Sequence, residues 1–338
     1  MSTKVRLALV TDAWKPQVNG VCTTLGKTCD TLKELGHEVY VINPNSCRTI
    51  PCPTYPEIRL VLQPFSFVKH ELNKFQPTHI HIATEGPLGL AARRYCIKNK
   101  LSFTSSYHTQ FPEYIRKRFP IPLSVSYKFF RWFHGAATHL MIGAPAQRRL
   151  LEERGFNNIV YWKKGVDTNL FKPGDKNFLR YPRPIWVYLG RVAIEKNIEA
   201  FLSLELPGTK VIIGDGPEKE ELSKKYPKIK FEGYRFGEEL ARYLGAGDVF
   251  VFPSLTDTFG LVMLEAMACG LPIAAYPVTG PIDVVRNGET GCLNKDLKTA
   301  ALCALKIDPQ NCLKQAREYT WKASTLQFIN NLVLARSS

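Results

Sequence analysis

The strongest constraint in this chain is a rhythm that starts twice. Short apolar runs rich in β-branched residues alternate with longer stretches of helical pattern. In the first half VRLALVTD, EVYVINP, THIHIAT, LSFTSSYHT and ATHLMIGA read as strands, with helices expected at 20–35, 86–98 and 144–154. After GVDTNLFKPGDK the pattern restarts with PIWVYLGR, TKVIIGDG, IKFEGY, DVFVFPS and LPIAAYP. Strands separated by helices are joined by crossovers, which gives parallel sheets covered by helices on their faces. With 338 residues the chain suits two such α/β units better than one core. The expected division is 1–166, 167–316 and a terminal segment 317–338, whose helical pattern has an apolar face suited to packing back on the first domain. Residues 167–184, rich in Pro, Gly and charge, read as the linker.

Several classes drop out early. No apolar run is long enough to span a bilayer, and the start, MSTKVRLALVTDAW, lacks the apolar core and cleavage pattern of a signal peptide. The nine cysteines form no C-x-x-C pair and match no histidine spacing, so reduced thiols in a cytoplasmic setting are expected rather than a zinc site or a disulfide framework. Cys269, within MACG, reads as core filling. Charge is uneven: residues 1–166 hold 23 Lys and Arg against 10 Asp and Glu, while residues 167–338 hold 22 against 20. The first half is therefore expected to face an anionic membrane surface or a polyanion. Arg116 to Phe133, RKRFPIPLSVSYKFFRWF, mixes cations with aromatics as interfacial segments do. A core helix with a basic outer face fits the same letters.

In open parallel sheets, ligands bind beyond the carboxyl ends of the strands, so the loops that follow the strands carry the chemistry. After the first strand, Asn19-Gly20 stands at a helix entrance, where backbone N–H groups suit a phosphate or sugar oxygen; a simple turn is the alternative. After PIWVYLG, Arg191 and Lys196 can clamp a diphosphate, or pair with Glu195 or Glu199. After VFVFPS, Asp257 belongs in the loop and Glu265 on the following helix, where a carboxylate can accept hydrogen bonds from a vicinal diol or merely complement the helix dipole. His108, in SSYHTQFPEY, follows a strand of the first domain.

Together these loops resemble the retaining glycosyltransferases of family 4. The likeness covers nearly the whole chain. Its most specific part is PSLTDTFGLVMLEAMACGLPIAA, similar to the family's E-x7-E motif, supported by GRVAIEKN, IIGDGPEKEEL, FEGY and KKGVDTNLF. TDAWKPQVNGVCTTL and SYHTQFPEY are similar to the subgroup of mannosyltransferases and sulfolipid-type glycolipid synthases. The resemblance implies the GT-B architecture: two Rossmann-like domains, their parallel sheets facing across a cleft, with acceptor binding assigned to the first and nucleotide-sugar binding to the second. It assigns Arg191 and Lys196 to the donor diphosphate, with Gly190 in the same loop, and Glu265 to the ribose. The backbone of Phe259, Gly260, Leu261 and Val262 is assigned to phosphate and sugar, and Gly233 and Tyr234 to the base pocket. Asn19 and Gly20 fall on the diphosphate, His108 on the transferred sugar. Where the family begins its motif with Glu, this chain has Asp257, one methylene shorter, which bears on its sugar contact.

The expected reaction is retaining transfer of a hexose, with mannose from GDP-mannose favoured, to a hydroxyl of a lipid or glycolipid. No metal or other cofactor is expected, because no acid-rich DxD loop follows a strand. The expected location is cytoplasmic, peripheral on the inner face of the membrane. UDP-dependent transfer of glucose or N-acetylglucosamine, a nucleotide-sugar epimerase and a nucleic-acid-binding protein are the alternatives.

Overall fold

The structure is a computed structural model, describing residues 4–52, 55–118 and 120–336. It separates into two compact units, one built from 1–163 with 321–338 and the other from 164–320.

The first unit contains β1 (Arg6–Val10), β2 (Glu38–Ile42), β3 (Thr49–Cys52), β4 (Tyr55–Val61), β5 (His79–Ile82), β6 (Thr104–Ser106), β7 (His139–Ile142) and β8 (Ile159–Tyr161). Its helices are α1 (Gly20–Glu34), α2 (Pro64–Phe75), α3 (Pro87–Lys98), α4 (Phe111–Arg118), α5 (Leu123–His134) and α6 (Pro145–Glu153). The main sheet runs β2-β1-β5-β6-β7-β8, all parallel, while β3 and β4 form a separate antiparallel pair. Buried Leu7, Ala8, Leu9 and Val10 place β1 in the core with both faces covered, which is why VRLALV does not alternate.

The second unit contains β9 (Ile185–Leu189), α7 (Glu199–Leu202), β10 (Thr209–Ile213), α8 (Lys219–Lys225), β11 (Lys230–Gly233), α9 (Gly237–Ala246), β12 (Val249–Phe252) and α10 (Leu261–Ala268). It continues with β13 (Ile273–Ala275), α11 (Pro281–Val284), β14 (Gly291–Leu293), α12 (Leu297–Ala304) and α13 (Pro309–Ala316). Its sheet is again parallel, in the order β11-β10-β9-β12-β13-β14. Both sheets grow outward in one direction, return to the centre and grow the other way. The switch points, between β1 and β5 and between β9 and β12, are where such folds bind ligands.

The last helix, α14 (Trp321–Asn331), belongs to the first unit. Phe328 is fully buried with its ring 4.7 Å from that of Trp162, and Trp162 Nε1 donates to Ser324 Oγ at 3.2 Å.

Residues 167–184 are not a free linker. Phe171 and Leu179 are buried, Tyr181 Oη donates to Glu232 at 2.9 Å, and Arg183 pairs with Asp248. Two apolar residues in a Pro- and Gly-rich coil make no periodicity, so the packing left no pattern to read. The cysteines need a second correction: Cys292 on β14 and Cys303 on α12 form a disulfide, with Cα atoms 6.0 Å apart. Eleven residues separate them in sequence, a spacing with no signature. Cys269 is buried as core filling, and burial pushes its thiol up to about 12. Among the described residues no helix is long and apolar enough to cross a membrane, and no group of acids, cysteines and histidines could hold a metal ion.

Candidate active site

The second unit's loops converge because three strands end together. Gly190 N donates to Ile213 O at 3.0 Å, Val192 N to Asp215 O at 2.9 Å, and Gly214 N to Gly233 O at 2.8 Å, so the loops after β9, β10 and β11 lie backbone against backbone. Only glycine allows this approach. A Cβ on Gly214 would lie 2.0 Å from Gly190 O, and one on Gly216 would lie 2.3 Å from Val192 O. These GDGP glycines were not singled out as site residues from sequence, although the phrase contributed to the resemblance.

The loop after β9 is also stitched to the loop after β12, across the switch point. Asn197 Nδ2 donates to Pro253 O at 3.1 Å, and Thr256 Oγ1 to Glu195 O at 3.4 Å. Between these two ties Lys196 Nζ donates to Asp257 Oδ1 at 2.6 Å, with both side chains largely buried. Of the two acids near Lys196 in the chain, Glu199 bonds Lys225 and Tyr226 Oη. Arg191 is half-buried in the same loop, and Tyr188 Oη donates to its carbonyl at 2.8 Å.

Asp257 opens the chain's turn into α10. Phe259 is buried, and Gly260 caps the helix at φ 82°, a left-handed conformation no bulky residue adopts cheaply. Gly260 has no side chain to cap this N-terminus, and the first-turn N–H groups at Leu261 and Val262 carry the positive end of the helix dipole. Gly280, at φ 96°, packs against the same loop: a Cβ there would come 3.2 Å from Asp257 O and 3.3 Å from Phe259 O. Sequence reading missed it, because its role depends on a loop from another strand. Glu265 sits on the second turn of α10, half-buried, its carboxylate with no hydrogen-bond or salt-bridge partner among the described residues. Desolvation raises its carboxyl to about 7.

Beyond β11, Gly233 at φ 73° turns the chain so that Tyr234 lies over the β10 loop, its Oη 3.4 Å from Asp215 O. Phe236 stacks on Tyr234 with ring centroids 5.9 Å apart, and both rings are exposed. Phe236 is a further residue that sequence reading missed; an aromatic three residues beyond a glycine carries no signal until the turn aligns the rings.

The first unit has its own switch-point loops. Asp12, after β1, is buried and accepts from Thr84 Oγ1 at 2.8 Å and Leu88 N at 2.9 Å, which ties that loop to the start of α3. Burial raises its carboxyl to about 6. Asn19 is the N-cap of α1, its Oδ1 accepting from Cys22 N at 2.9 Å, and Gly20 is the first, exposed residue of that helix. His108 follows β6 with Nε2 2.8 Å from Ser106 Oγ, and Ser106 Oγ is 3.1 Å from His81 Nε2. The structure therefore brings Gly190, Arg191, Lys196, Gly233, Tyr234, Asp257, Phe259, Gly260, Leu261, Val262 and Glu265 onto adjacent loops of one unit. Asn19, Gly20 and His108 lie in the other.

Residues 18–170 match the glycosyltransferase family 4 profile, and residues 183–307 match that of glycosyl transferases group 1. Sulfoquinovosyl transferase SQD2 of Arabidopsis thaliana is 30% identical over 88% of this chain and 67% of its own length. The chain belongs to glycosyltransferase family 4. A GDP-mannose-dependent alpha-mannosyltransferase of Mycobacterium tuberculosis is 29% identical to this glycosyltransferase over 86% of the chain and 83% of the relative. Among solved structures, sucrose-phosphate synthase from Thermosynechococcus elongatus superposes with a TM-score of 0.79 at 22% identity, covering 97% of this chain and 98% of that one. That likeness supports the fold: two parallel-sheet Rossmann-like domains of the GT-B kind.

Proposed function

We propose that this glycosyltransferase moves a hexose, with retention of anomeric configuration, from a nucleoside diphosphate sugar to an acceptor hydroxyl borne by a lipid or saccharide, and that mannose from GDP-mannose is the donor. The observation that carries the reading is the Lys196–Asp257 contact at the switch point of the second sheet. It holds an ammonium in Arg191's loop, beside the turn that leads into the glycine-started α10 N-terminus, where a pyrophosphate finds two cations and a helix dipole.

In the proposed step the bond from C1 to the leaving phosphate oxygen breaks, and its electron pair goes to the diphosphate. Arg191, Lys196 and the Leu261 and Val262 amides neutralise that charge; such preorganised stabilisation is commonly the largest single contribution to rate. The acceptor oxygen bonds C1 from the face the leaving group departs, and its proton passes to the departing phosphate oxygen. No protein nucleophile or metal is assigned a part. Asp257 orients Lys196 through one oxygen and addresses the sugar with its shorter arm. Glu265 accepts the ribose hydroxyls, while Tyr234 and Phe236 offer stacking faces to the base. In the first unit, the α1 N-terminus at Asn19 and Gly20 and the histidine His108 are assigned to the diphosphate and the sugar.

The first domain's charge and helix α5 support a peripheral place on an anionic, cytoplasmic membrane face, with acceptor binding assigned to that domain. Val125, Phe129 and Trp132 are exposed along one side of α5, while Tyr127, Phe130 and Phe133 are buried on the other. Arg93 lies over the Trp132 ring at 3.7 Å. Of the basic stretch expected there, Phe119 lies outside the described residues. Thermal-shift measurements with GDP, UDP and ADP, followed by product analysis with the matching sugar donors, test the donor assignment. Stabilisation by UDP but not by GDP would replace mannose from GDP-mannose with a UDP-sugar.

A further inference from the structure

The second unit carries a cavity that the donor reading does not use. It has a volume of 980 Å³ and is lined by residues that precede or begin β9, β10 and β11, together with Lys298 of α12. The donor loops follow those same strands. Five residues of β9 at about 3.3 Å each put about 16 Å of strand between the two ends. The volume is at the upper end of small-molecule sites.

Its charge is out of proportion to its surroundings. Residues 167–338 are nearly balanced, yet Lys210, Lys225, Lys228, Lys230 and Lys298 line this one cavity against a single carboxylate, Glu205. Two of the lysines have structural employment. Lys210 Nζ donates to Leu202 O at 2.6 Å and to Leu204 O, satisfying carbonyls at the end of α7, and Lys225 pairs with Glu199. The other three have no salt bridge among the described residues. Lys230 lies over the Tyr181 ring at 5.6 Å. Lys298 stands in the first turn of α12, where a cation opposes the helix dipole; its backbone N–H donates to the capping Asp296 Oδ1 at 3.3 Å, and the Asp296 carboxyl is held below its usual range by the Thr299 hydrogen bonds first, with the Lys298 charge a lesser contribution. The remaining walls are apolar and aromatic, from Leu204, Leu206, Ile229 and Tyr226.

We propose that this cavity binds a small phosphorylated molecule, a phosphomonoester on a polyol or aromatic body, with Lys228, Lys230 and Lys298 taking the phosphate and the apolar wall taking the body. A phosphate accepts several charge-assisted hydrogen bonds, and three ammonium groups around one cavity are its natural complement. Binding here leaves the donor loops unoccupied.

Glucose 6-phosphate is a suitable probe, titrated calorimetrically into the full chain, into Lys196→Ala and into the double variant Lys228→Glu, Lys298→Glu. The expected result is one binding event that survives in Lys196→Ala and weakens by about tenfold or more in the double variant. The double variant should match the parent in circular dichroism and melting temperature, because Lys228 is exposed and neither lysine is ion-paired. In the parent, saturating glucose 6-phosphate should shield Lys228 and Lys298 from reductive methylation. Absence of binding, or binding that is lost in Lys196→Ala and kept in the double variant, overturns the proposal; the latter places the phosphate on the donor loops and leaves that reading intact. Phosphatidate vesicles form the second arm. Capture by vesicles that the double variant abolishes, without binding of the soluble ester, assigns the lysines to a lipid headgroup and also overturns it.

Discussion

Glu265→Gln replaces a half-buried carboxyl with a neutral group of nearly the same shape. In the folded protein the Glu265 carboxyl titrates near 7 against an ordinary 4.5, because burial disfavours its ionised form and no side chain pairs with it. A folded-state value above the unfolded one means that stability is fully present below about 4.5 and is lost as pH rises through about 7. At about 1.4 kcal/mol for each tenfold difference in proton affinity, the ionised side chain costs the second unit about 3 kcal/mol at most at pH above 7. The glutamine variant should therefore match the parent at acid pH and exceed it by up to that amount under alkaline conditions. Hydrogen exchange of the β9, β12 and α10 amides reads this local stability without requiring the two units to unfold together.

The same carboxylate is proposed to accept ribose hydroxyls, which favours its ionised form. Nucleotide binding should then release a proton near neutral pH, and affinity should rise with pH through about 7 in the parent. The variant should bind more weakly and lose this part of the pH dependence, whatever the nucleotide's own phosphate contributes. Parent and variant curves that stay parallel from acid to alkaline pH, in both exchange and binding, would refute the assignment of a desolvated, ligand-gripping acid at this position.

Other perturbations separate chemistry from scaffolding. Lys196→Ala should lower turnover by orders of magnitude while circular dichroism stays unchanged; near-normal turnover removes the clamp from the mechanism. Gly216→Ala forces a Cβ to within 2.3 Å of Val192 O, so it should lower the melting temperature of the second unit and nucleotide affinity together, whereas a purely local effect would leave affinity alone. Replacing Phe129 and Trp132 with serine removes exposed apolar surface from α5 and should reduce flotation with anionic vesicles at low salt, leaving turnover on a soluble acceptor intact; unchanged flotation moves the membrane contact elsewhere.

How much of this was legible in the letters depended on whether the physics was local. Parallel strands buried on both faces write themselves as unbroken apolar runs, so β1, β9, β12 and β13 were readable, and with them the two-unit α/β fold. The short strands β8 and β14 and the β3–β4 hairpin were not, since a few residues of apolar bias fall below any periodicity. The same division runs through the site. Asp257, Gly260 and Glu265 share one loop and one helix, so their relation was visible as spacing. The contact between Lys196 and Asp257 was not, because 61 residues separate the partners and only the adjacency of β9 and β12 joins them. Sequence proximity offered, beside a diphosphate clamp, only a pairing of Arg191 or Lys196 with Glu195 or Glu199. The sheet order adds a partner that proximity does not show: a strand laid beside β9 brings its following loop to Lys196, while Glu199 is carried to Lys225, on α8, by the crossover that leads away from the switch point. The lysine proposed for the diphosphate is thus positioned by the strand on which the sheet reverses direction as well as by its neighbours in the chain.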